Sequence, residues 1–205
     1  MVGKTSIDYI SFDLGGVLYL PGTPDQFFEY INGSNRIETA DVAKAFNAGR
    51  EAWDKGHITA DKFWEMFNKE LDTEFEREEL EDILFLSSAI DTELAERIQG
   101  LRERGIGVCA LTNLPREWLA FLEGHDQLSR FFDDVIASCY VGAVKPDGCM
   151  YNEVSMRAAT AHTQIVHIDD VAEHVEGARA AGMHGIHYSN IKQLQEELAK
   201  LGVEF

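Results

Sequence analysis

The sequence predicts a three-layer α/β protein: a parallel β-sheet between two layers of helices, with a helical insertion near the amino terminus. Three observations support this class. The apolar run at residues 7–12 ends at Asp13 and two glycines, the pattern of a strand buried on both faces. Residues 25–89 show helical periodicity with no strand signal. From residue 91 onward, strand-like and helix-like segments alternate, which is typical of βαβ units.

The insertion is predicted to contain about four helices, because aromatic and aliphatic residues recur there at helical spacing. Thr59 stands at the right distance to cap one of them. Its acidic segment TEFEREELEDILF indicates a solvated helix face. We therefore expect a core domain made of residues 1–21 and 90–205 and a second domain made of residues 22–89.

The remaining elements follow in regular order. We predict helices at residues 91–105, 115–124, 149–160 and 172–182 and from about residue 191, with Pro115 in the first turn of its helix. Strands are predicted between them, at residues 108–113, 133–138, 164–170 and 184–188. Right-handed crossovers then place all the strands in one parallel sheet.

Composition limits the classes of function. The 205 residues are 45% hydrophobic, enough for a sizeable core, and 36 acidic against 18 basic residues give a net charge of −18. That balance disfavours nucleic acids and anionic membranes as partners. Three cysteines without a CxxC pair indicate reduced thiols, and no apolar run approaches the ~20 residues of a membrane span. We expect a soluble cytoplasmic protein, a monomer or homodimer, that acts on a small molecule.

Polar residues gather where the predicted strands end. They are Asp13, the pair Thr112 and Asn113, Lys145, and the pair Asp169 and Asp170. In open parallel sheets, ligands bind beyond the carboxyl ends of the strands, so these side chains are expected to meet in one crevice. Carboxylates that share such a site repel one another unless a cation compensates them, and Mg²⁺ prefers oxygen ligands of this kind.

The segments FDLGG, ALTN, VKPD and HIDD…EGARAAGM resemble the four motifs of the haloacid dehalogenase superfamily, in the family's order. The resemblance covers roughly residues 6–21 and 90–190. It implies a Rossmann-like core with a small helical cap domain inserted between the first two motifs, where the helical insertion stands. The motifs are also similar to those of bacterial glucose-1-phosphatase-type enzymes and of the phosphatase domain of epoxide hydrolases.

The resemblance implies a nucleophile and a metal site. Asp13 would attack phosphorus and form an aspartyl-phosphate. Mg²⁺ would be held by the Asp13 carboxylate, the backbone carbonyl of Gly15 and Asp170, while Asp169 would share in that shell or support it from outside.

The same resemblance assigns phosphate contacts. Thr112 and the backbone N–H of Asn113 would hold phosphate oxygens. Lys145 would pair with both the phosphate and Asp13, offsetting charge in the transition state. Gly16, together with Gly15, would let the chain turn sharply and approach the phosphate closely.

Gly15 departs from the family pattern. The superfamily's phosphatases usually carry a second Asp there, which protonates the leaving oxygen and later activates water, help that is typically worth 10²–10⁴-fold. A Mg²⁺-dependent phosphatase acting on a small phosphomonoester with a good leaving group, such as a sugar 1-phosphate, needs that proton less. His174, where relatives commonly have Asn, is a hypothetical substitute acid or base.

Two other functions stay open at the level of sequence. A metal-independent 2-haloacid dehalogenase also lacks the second Asp, although the pair Asp169 and Asp170 argues against it. A catalytically weak or silent binding or regulatory protein is the alternative outside enzymes. The three tryptophans, Trp53, Trp64 and Trp118, are expected in helix cores or at the cap interface.

Overall fold

The computed structural model describes residues 6–20, 24–35, 37–86 and 89–205. The predicted domain boundary at residues 21–22 lies outside them. The strands are β1 (Tyr9–Phe12), β2 (Tyr19–Leu20), β3 (Ala89–Ile90), β4 (Gly107–Thr112), β5 (Asp134–Ala137), β6 (Ile165–Asp169) and β7 (His184–His187). Five of them form a sheet in the order β5-β4-β1-β6-β7, and every pairing in that sheet is parallel. The predicted parallel α/β fold is confirmed.

The helices lie between the strands along the chain, and the last helix follows β7, much as predicted. The first four are α1 (Pro24–Asn35), α2 (Thr39–Asp54), α3 (Ala60–Leu71) and α4 (Arg77–Leu86). The others are α5 (Thr92–Glu103), α6 (Arg116–His125), α7 (Ser138–Val141), α8 (Gly148–Ala158), α9 (Ala172–Ala180) and α10 (Ile191–Leu201). The sequence did not predict α7, because four residues are too few to show helical periodicity. Pro115 caps α6 in an extended conformation, one residue before the predicted position.

The central strand explains why the core sequence is so apolar. Ile10 and Phe12 of β1 are fully buried, since β4 and β6 flank the strand and helices cover both faces of the sheet. Main-chain hydrogen bonds to the neighbouring strands pair the backbone N–H and C=O groups of β1. Apolar side chains can therefore cover both faces without leaving buried polar groups unpaired.

The four helices α1–α4 bury a hydrophobic cluster of their own, rich in aromatic rings. Trp53 and Phe63 stack at 4.2 Å between ring centroids, and Trp64 packs edge-on against Phe63 at 4.9 Å. The hydroxyl of Thr59 accepts a hydrogen bond from the backbone N–H of Lys62, which confirms the predicted cap of α3. The ring pairs stabilise the cluster beyond the burial of apolar surface, because each edge-on or stacked pair adds about 0.5–1.5 kcal/mol.

The two ends of this helical block are held together by a short antiparallel ladder. Tyr19 of β2 pairs with Ile90 of β3, and the backbone N–H of Asp91 donates to the carbonyl oxygen of Leu18. Because β2 follows closely on β1, this ladder fixes the helical block next to the carboxyl end of the central strand.

Candidate active site

The carboxyl ends of the three central strands bring most of the predicted site residues together. Asp13 follows β1, Thr112 ends β4 and Asp169 ends β6, and these strands are neighbours in the sheet. A cavity of about 200 Å³ opens over Asp13. Its lining combines core residues with residues of the helical block: Asp13, Leu14, Gly15, Tyr19, Arg50, Leu84, Thr112, Asn113, Leu114, Trp118 and Leu122.

Lys145 is the buried cation of this site. Its Nζ lies 2.9 Å from Oδ1 of Asp13 and 2.6 Å from Oδ2 of Asp169, and its side chain is fully buried. A buried ammonium group is costly unless it is paired. Two carboxylates therefore hold it, and it in turn links the ends of β1 and β6.

Asn113 fixes the segment that carries Lys145. The side-chain oxygen of Asn113 accepts a hydrogen bond from the backbone N–H of Lys145 at 2.8 Å, and its amide nitrogen donates to the Lys145 carbonyl oxygen at 3.1 Å. This reciprocal pair ties the loop after α7 to the end of β4. The Lys145–Pro146 peptide bond that follows is cis.

Asp169 receives hydrogen bonds from several directions. Besides Lys145, it accepts from the backbone N–H of Val171 at 2.9 Å. Nε2 of His167 lies 3.2 Å from its Oδ2, and Nδ1 of His174 lies 3.1 Å from its Oδ1. A carboxylate can only accept, so both histidine nitrogens carry the proton in these contacts. His167 then accepts from the Ser11 hydroxyl, 3.0 Å from its Nδ1.

The pKa values of these groups follow from burial and pairing. Burial raises the pKa of the Asp13 carboxyl group, and Lys145 counteracts part of that rise. Burial would also raise the pKa of Asp169, but hydrogen bonds from His167 and His174 and the charge of Lys145 hold it well below its usual range. Burial lowers the pKa of His167, so this ring is neutral near pH 7.

The His174 side chain, the hypothetical substitute acid or base, contacts Asp169. Its Nδ1 is engaged with Asp169, and its carbonyl oxygen accepts a hydrogen bond from the Tyr151 hydroxyl at 2.7 Å. The structure thus shows His174 as a support for Asp169.

Asp170 lies at the solvent-facing edge of the site, in contact with the turn after β1. A Cβ atom built on Gly16 would stand 2.1 Å from Oδ2 of Asp170, and Gly16 has a φ angle of +72°. Both facts require glycine at position 16. Gly16 permits a close approach to Asp170, and Gly15 and Asp13 line the cavity.

Carboxylate and carbonyl oxygens at this edge could hold a divalent cation. The pKa of Asp170 is raised by burial and by the charges of Asp13 and Asp169, and the charge of Lys145 offsets only part of that rise. Ligand atoms of Asp13, Asp169 and His174 also lie within 4.8 Å of one another. Lys145 and His174 already occupy the Asp169 oxygens, so Asp169 is less free to bind a metal ion.

Gly15 is exposed and leaves room for a side chain. An added Cβ there would meet no atom of the described residues within 4 Å, and the φ angle of Gly15 lies outside the left-handed region. The glycine is therefore not required by packing or by backbone conformation, in contrast to Gly16.

Several residues of the cavity wall had no site signal in the sequence, among them Arg50, Leu84 and Trp118. Arg50 and Leu84 come from the helical block, and Trp118 comes from α6. Trp118 does lie at the predicted interface, since it stacks with Trp53 at 6.1 Å, but it also faces the cavity. Tyr19 of β2 also lines the cavity. Periodicity identifies an apolar helix face without showing which cavity it borders.

The chain matches known proteins over most of its length. It is 26% identical to mouse Acyl-CoA dehydrogenase family member 10 over 97% of this chain and 19% of that protein. It is 30% identical to the sesquiterpene phosphatase astK of Aspergillus oryzae over 54% of this chain and 57% of that protein. The chain thus spans less than two thirds of the length of each of these relatives.

The fold matches solved structures as well. The magnesium complex of the HAD family enzyme bt-2542 from Bacteroides thetaiotaomicron superposes with a TM-score of 0.80 at 18% identity, covering 92% of this chain and 98% of that one. No helix in the described ranges is long and apolar enough to cross a bilayer. The family model for haloacid dehalogenase-like hydrolases matches residues 7–182, and the chain belongs to that family of hydrolases.

Proposed function

We propose that the protein is a Mg²⁺-dependent phosphatase that hydrolyses a small phosphomonoester through an aspartyl-phosphate on Asp13. The observation that carries the proposal is the pairing of Lys145 with both Asp13 and Asp169 at the floor of the cavity, beside Thr112. This arrangement offers a carboxylate nucleophile and a fixed positive charge at one point. Relatives include a named phosphatase, which agrees with this chemistry.

In the proposed reaction, Oδ of Asp13 forms a bond to phosphorus while the bond between phosphorus and the ester oxygen breaks. Lys145 orients the Asp13 carboxylate and offsets the charge that develops on the phosphoryl oxygens. The Thr112 hydroxyl and the backbone N–H of Asn113 hold these oxygens. The leaving oxygen takes its proton from water, because Gly15 offers none. Water then attacks phosphorus, releases inorganic phosphate and frees Asp13.

Asp13, Asp170 and the carbonyl of Gly15 would hold the magnesium ion. When bound, Mg²⁺ withdraws electron density from the phosphoryl oxygens and neutralises part of the charge of the two carboxylates. Asp169 stays outside this set and holds Lys145, with His167 and His174 fixing its orientation.

Residues 22–89 would act as a cap domain over a core made of residues 1–21 and 90–205. Arg50 and Leu84 of this block line the cavity opposite Asp13 and exclude water from it. We further propose a cytoplasmic monomer or homodimer whose partner is a small phosphorylated metabolite, in keeping with a net charge of −18 that repels nucleic acids and anionic membranes.

The test is phosphate release from p-nitrophenyl phosphate, with Mg²⁺ and with EDTA, for the wild-type protein and the Asp13→Asn variant. The matched control is Glu96→Gln, the same chemical change at an exposed position of α5. Turnover that requires Mg²⁺, is abolished by Asp13→Asn and survives Glu96→Gln supports the proposal.

Two outcomes would contradict it. Release of halide from 2-chloropropionate without metal identifies a dehalogenase, in which Asp13 attacks carbon. Absence of turnover on every ester, with Mg²⁺ still bound, identifies a binding protein.

A further inference from the structure

The cavity above Asp13 is lined by two chemically different sets of side chains. Asp13, Thr112 and Asn113 bring polar groups from the strand termini. Five apolar side chains, here called the apolar wall, make up much of the rest of the lining: Leu14, Leu84, Leu114, Trp118 and Leu122. A phosphate bound at Asp13 therefore leaves the rest of its ester among largely apolar side chains.

Two other polar side chains line the cavity, and each is paired with a carboxylate. The hydroxyl of Tyr19 donates to Oδ2 of Asp126 at 2.7 Å. Nε of Arg50 donates to both carboxylate oxygens of Asp54, each at 2.8 Å, and its guanidinium group lies 4.7 Å from the centroid of the Trp118 ring. The charge of Arg50 is thus balanced by a buried carboxylate, and one face of the group is covered by an aromatic ring.

These surroundings distinguish between classes of leaving group. A sugar carries several hydroxyl groups, and each one that is buried without a hydrogen-bond partner loses affinity. A methylene group buried against leucine and tryptophan gains affinity. We infer that the leaving group is an apolar alcohol, aliphatic or aromatic, and not a sugar. This inference rests on the proposed phosphatase function and specifies its substrate class.

The experiment compares esters of primary alcohols, whose leaving groups differ in polarity but have similar reactivity. The n-alkyl phosphates from ethyl to octyl are measured beside glycerol phosphate and glucose 6-phosphate. We expect kcat/KM to rise about fourfold for each methylene until the cavity is filled. Hexyl phosphate should exceed glucose 6-phosphate by about tenfold or more.

A variant of the wall tests whether this cavity causes the trend. Leu122→Asn places an amide in the apolar wall and should flatten the dependence on chain length. The control Met156→Asn makes a comparable change at an exposed apolar residue of α8, 68% exposed, and should leave the dependence intact. The wild-type series decides the inference by itself if Leu122→Asn does not fold.

Binding of n-alkylphosphonates, measured by calorimetry, separates this inference from the proposed function. These compounds cannot be hydrolysed, so their affinity reports on the cavity alone. Affinity that rises with chain length, without turnover of any ester, supports the apolar cavity and overturns the phosphatase. Affinity and kcat/KM that are flat with chain length, or higher for glucose 6-phosphate, overturn the inference while phosphatase activity stands. An equal chain-length dependence in Leu122→Asn also overturns it.

Discussion

Replacing Gly15 with Asp is expected to supply the proton donor that the site lacks. The position suits the change, because Gly15 is exposed and an added Cβ would meet nothing within 4 Å among the described residues. The carboxyl group would stand two residues from Asp13, where the superfamily's phosphatases usually have their second Asp. In the proposed mechanism it would protonate the leaving oxygen.

The expected magnitude follows from two comparisons. An exposed substitution without steric conflict changes the free energy of unfolding by only about 0.5 kcal/mol or less. General acid–base help lowers the barrier enough to accelerate a reaction about 10²–10⁴-fold. That factor corresponds to about 3–5 kcal/mol of activation free energy. The variant should therefore fold like the wild type and differ from it in rate.

The assay uses two esters that differ in their need for a proton. The parameter kcat/KM covers the steps up to departure of the leaving group, so it isolates the first half of the reaction. Butyl phosphate, whose leaving group is a strongly basic alkoxide, should show most of this increase in kcat/KM. p-Nitrophenyl phosphate, whose leaving group is a stable phenolate, should show little increase. Saturating Mg²⁺ removes any effect of the new charge on metal affinity.

Gly15→Asn is the matched control, because its side chain has nearly the same size but cannot donate a proton as an acid does. If Asp and Asn at position 15 give the same ratio of kcat/KM between the two esters, the missing acid is not what limits this enzyme. The proposed role of Gly15 would then be wrong, even if both variants were active.

Three further results are expected. Gly16→Ala should weaken Mg²⁺ binding measured by calorimetry and destabilise the fold by about 1 kcal/mol, because its Cβ displaces the Asp170 carboxylate and occupies a left-handed backbone position; unchanged Mg²⁺ affinity would contradict the contact. Lys145→Met should lower the free energy of unfolding in urea by about 3–5 kcal/mol, because it leaves Asp13 and Asp169 buried without their cation; a loss below about 1 kcal/mol would refute this. The Mg²⁺ affinity should decrease as the pH is lowered, and the decrease should begin at a higher pH than at an ordinary aspartate site, because the pKa values of Asp13 and Asp170 are raised and protons compete earlier. An affinity that stays the same from about pH 8 to about pH 5 would contradict this.

Much of the core and of the site could be predicted because one rule connects them. Buried parallel strands are recognisable as apolar runs, and the polar residue that ends each run must lie at the common edge of the sheet. Asp13, Thr112 and Asp169 meet there for that reason. Lys145 is not at a strand end itself, and the sequence could not show that Asn113 holds its backbone in place.

The cavity wall could not be predicted, because it depends on how helices are rotated and where they cross. The sequence shows that α2 and α6 have apolar faces, but Arg50 and Trp118 lie where those faces end and meet another element. His174 shows the same limit. Its imidazole suggested an acid or base, but its hydrogen-bond partner is Asp169, which only the packing of α9 against β6 decides.

Some of the negative charge of the site is paired with a protein cation and some is not, and Gly15 lies beside the unpaired part. Lys145 pairs with the buried carboxylates of Asp13 and Asp169, and His167 and His174 donate hydrogen bonds to Asp169. A second Asp at position 15 would combine two functions, a carbonyl oxygen for the metal and a carboxyl group for the proton. Gly15 keeps the carbonyl oxygen for the metal and lacks the carboxyl group for the proton. The basicity of the leaving alcohol should therefore govern the rate in this protein more steeply than in a variant that carries the acid.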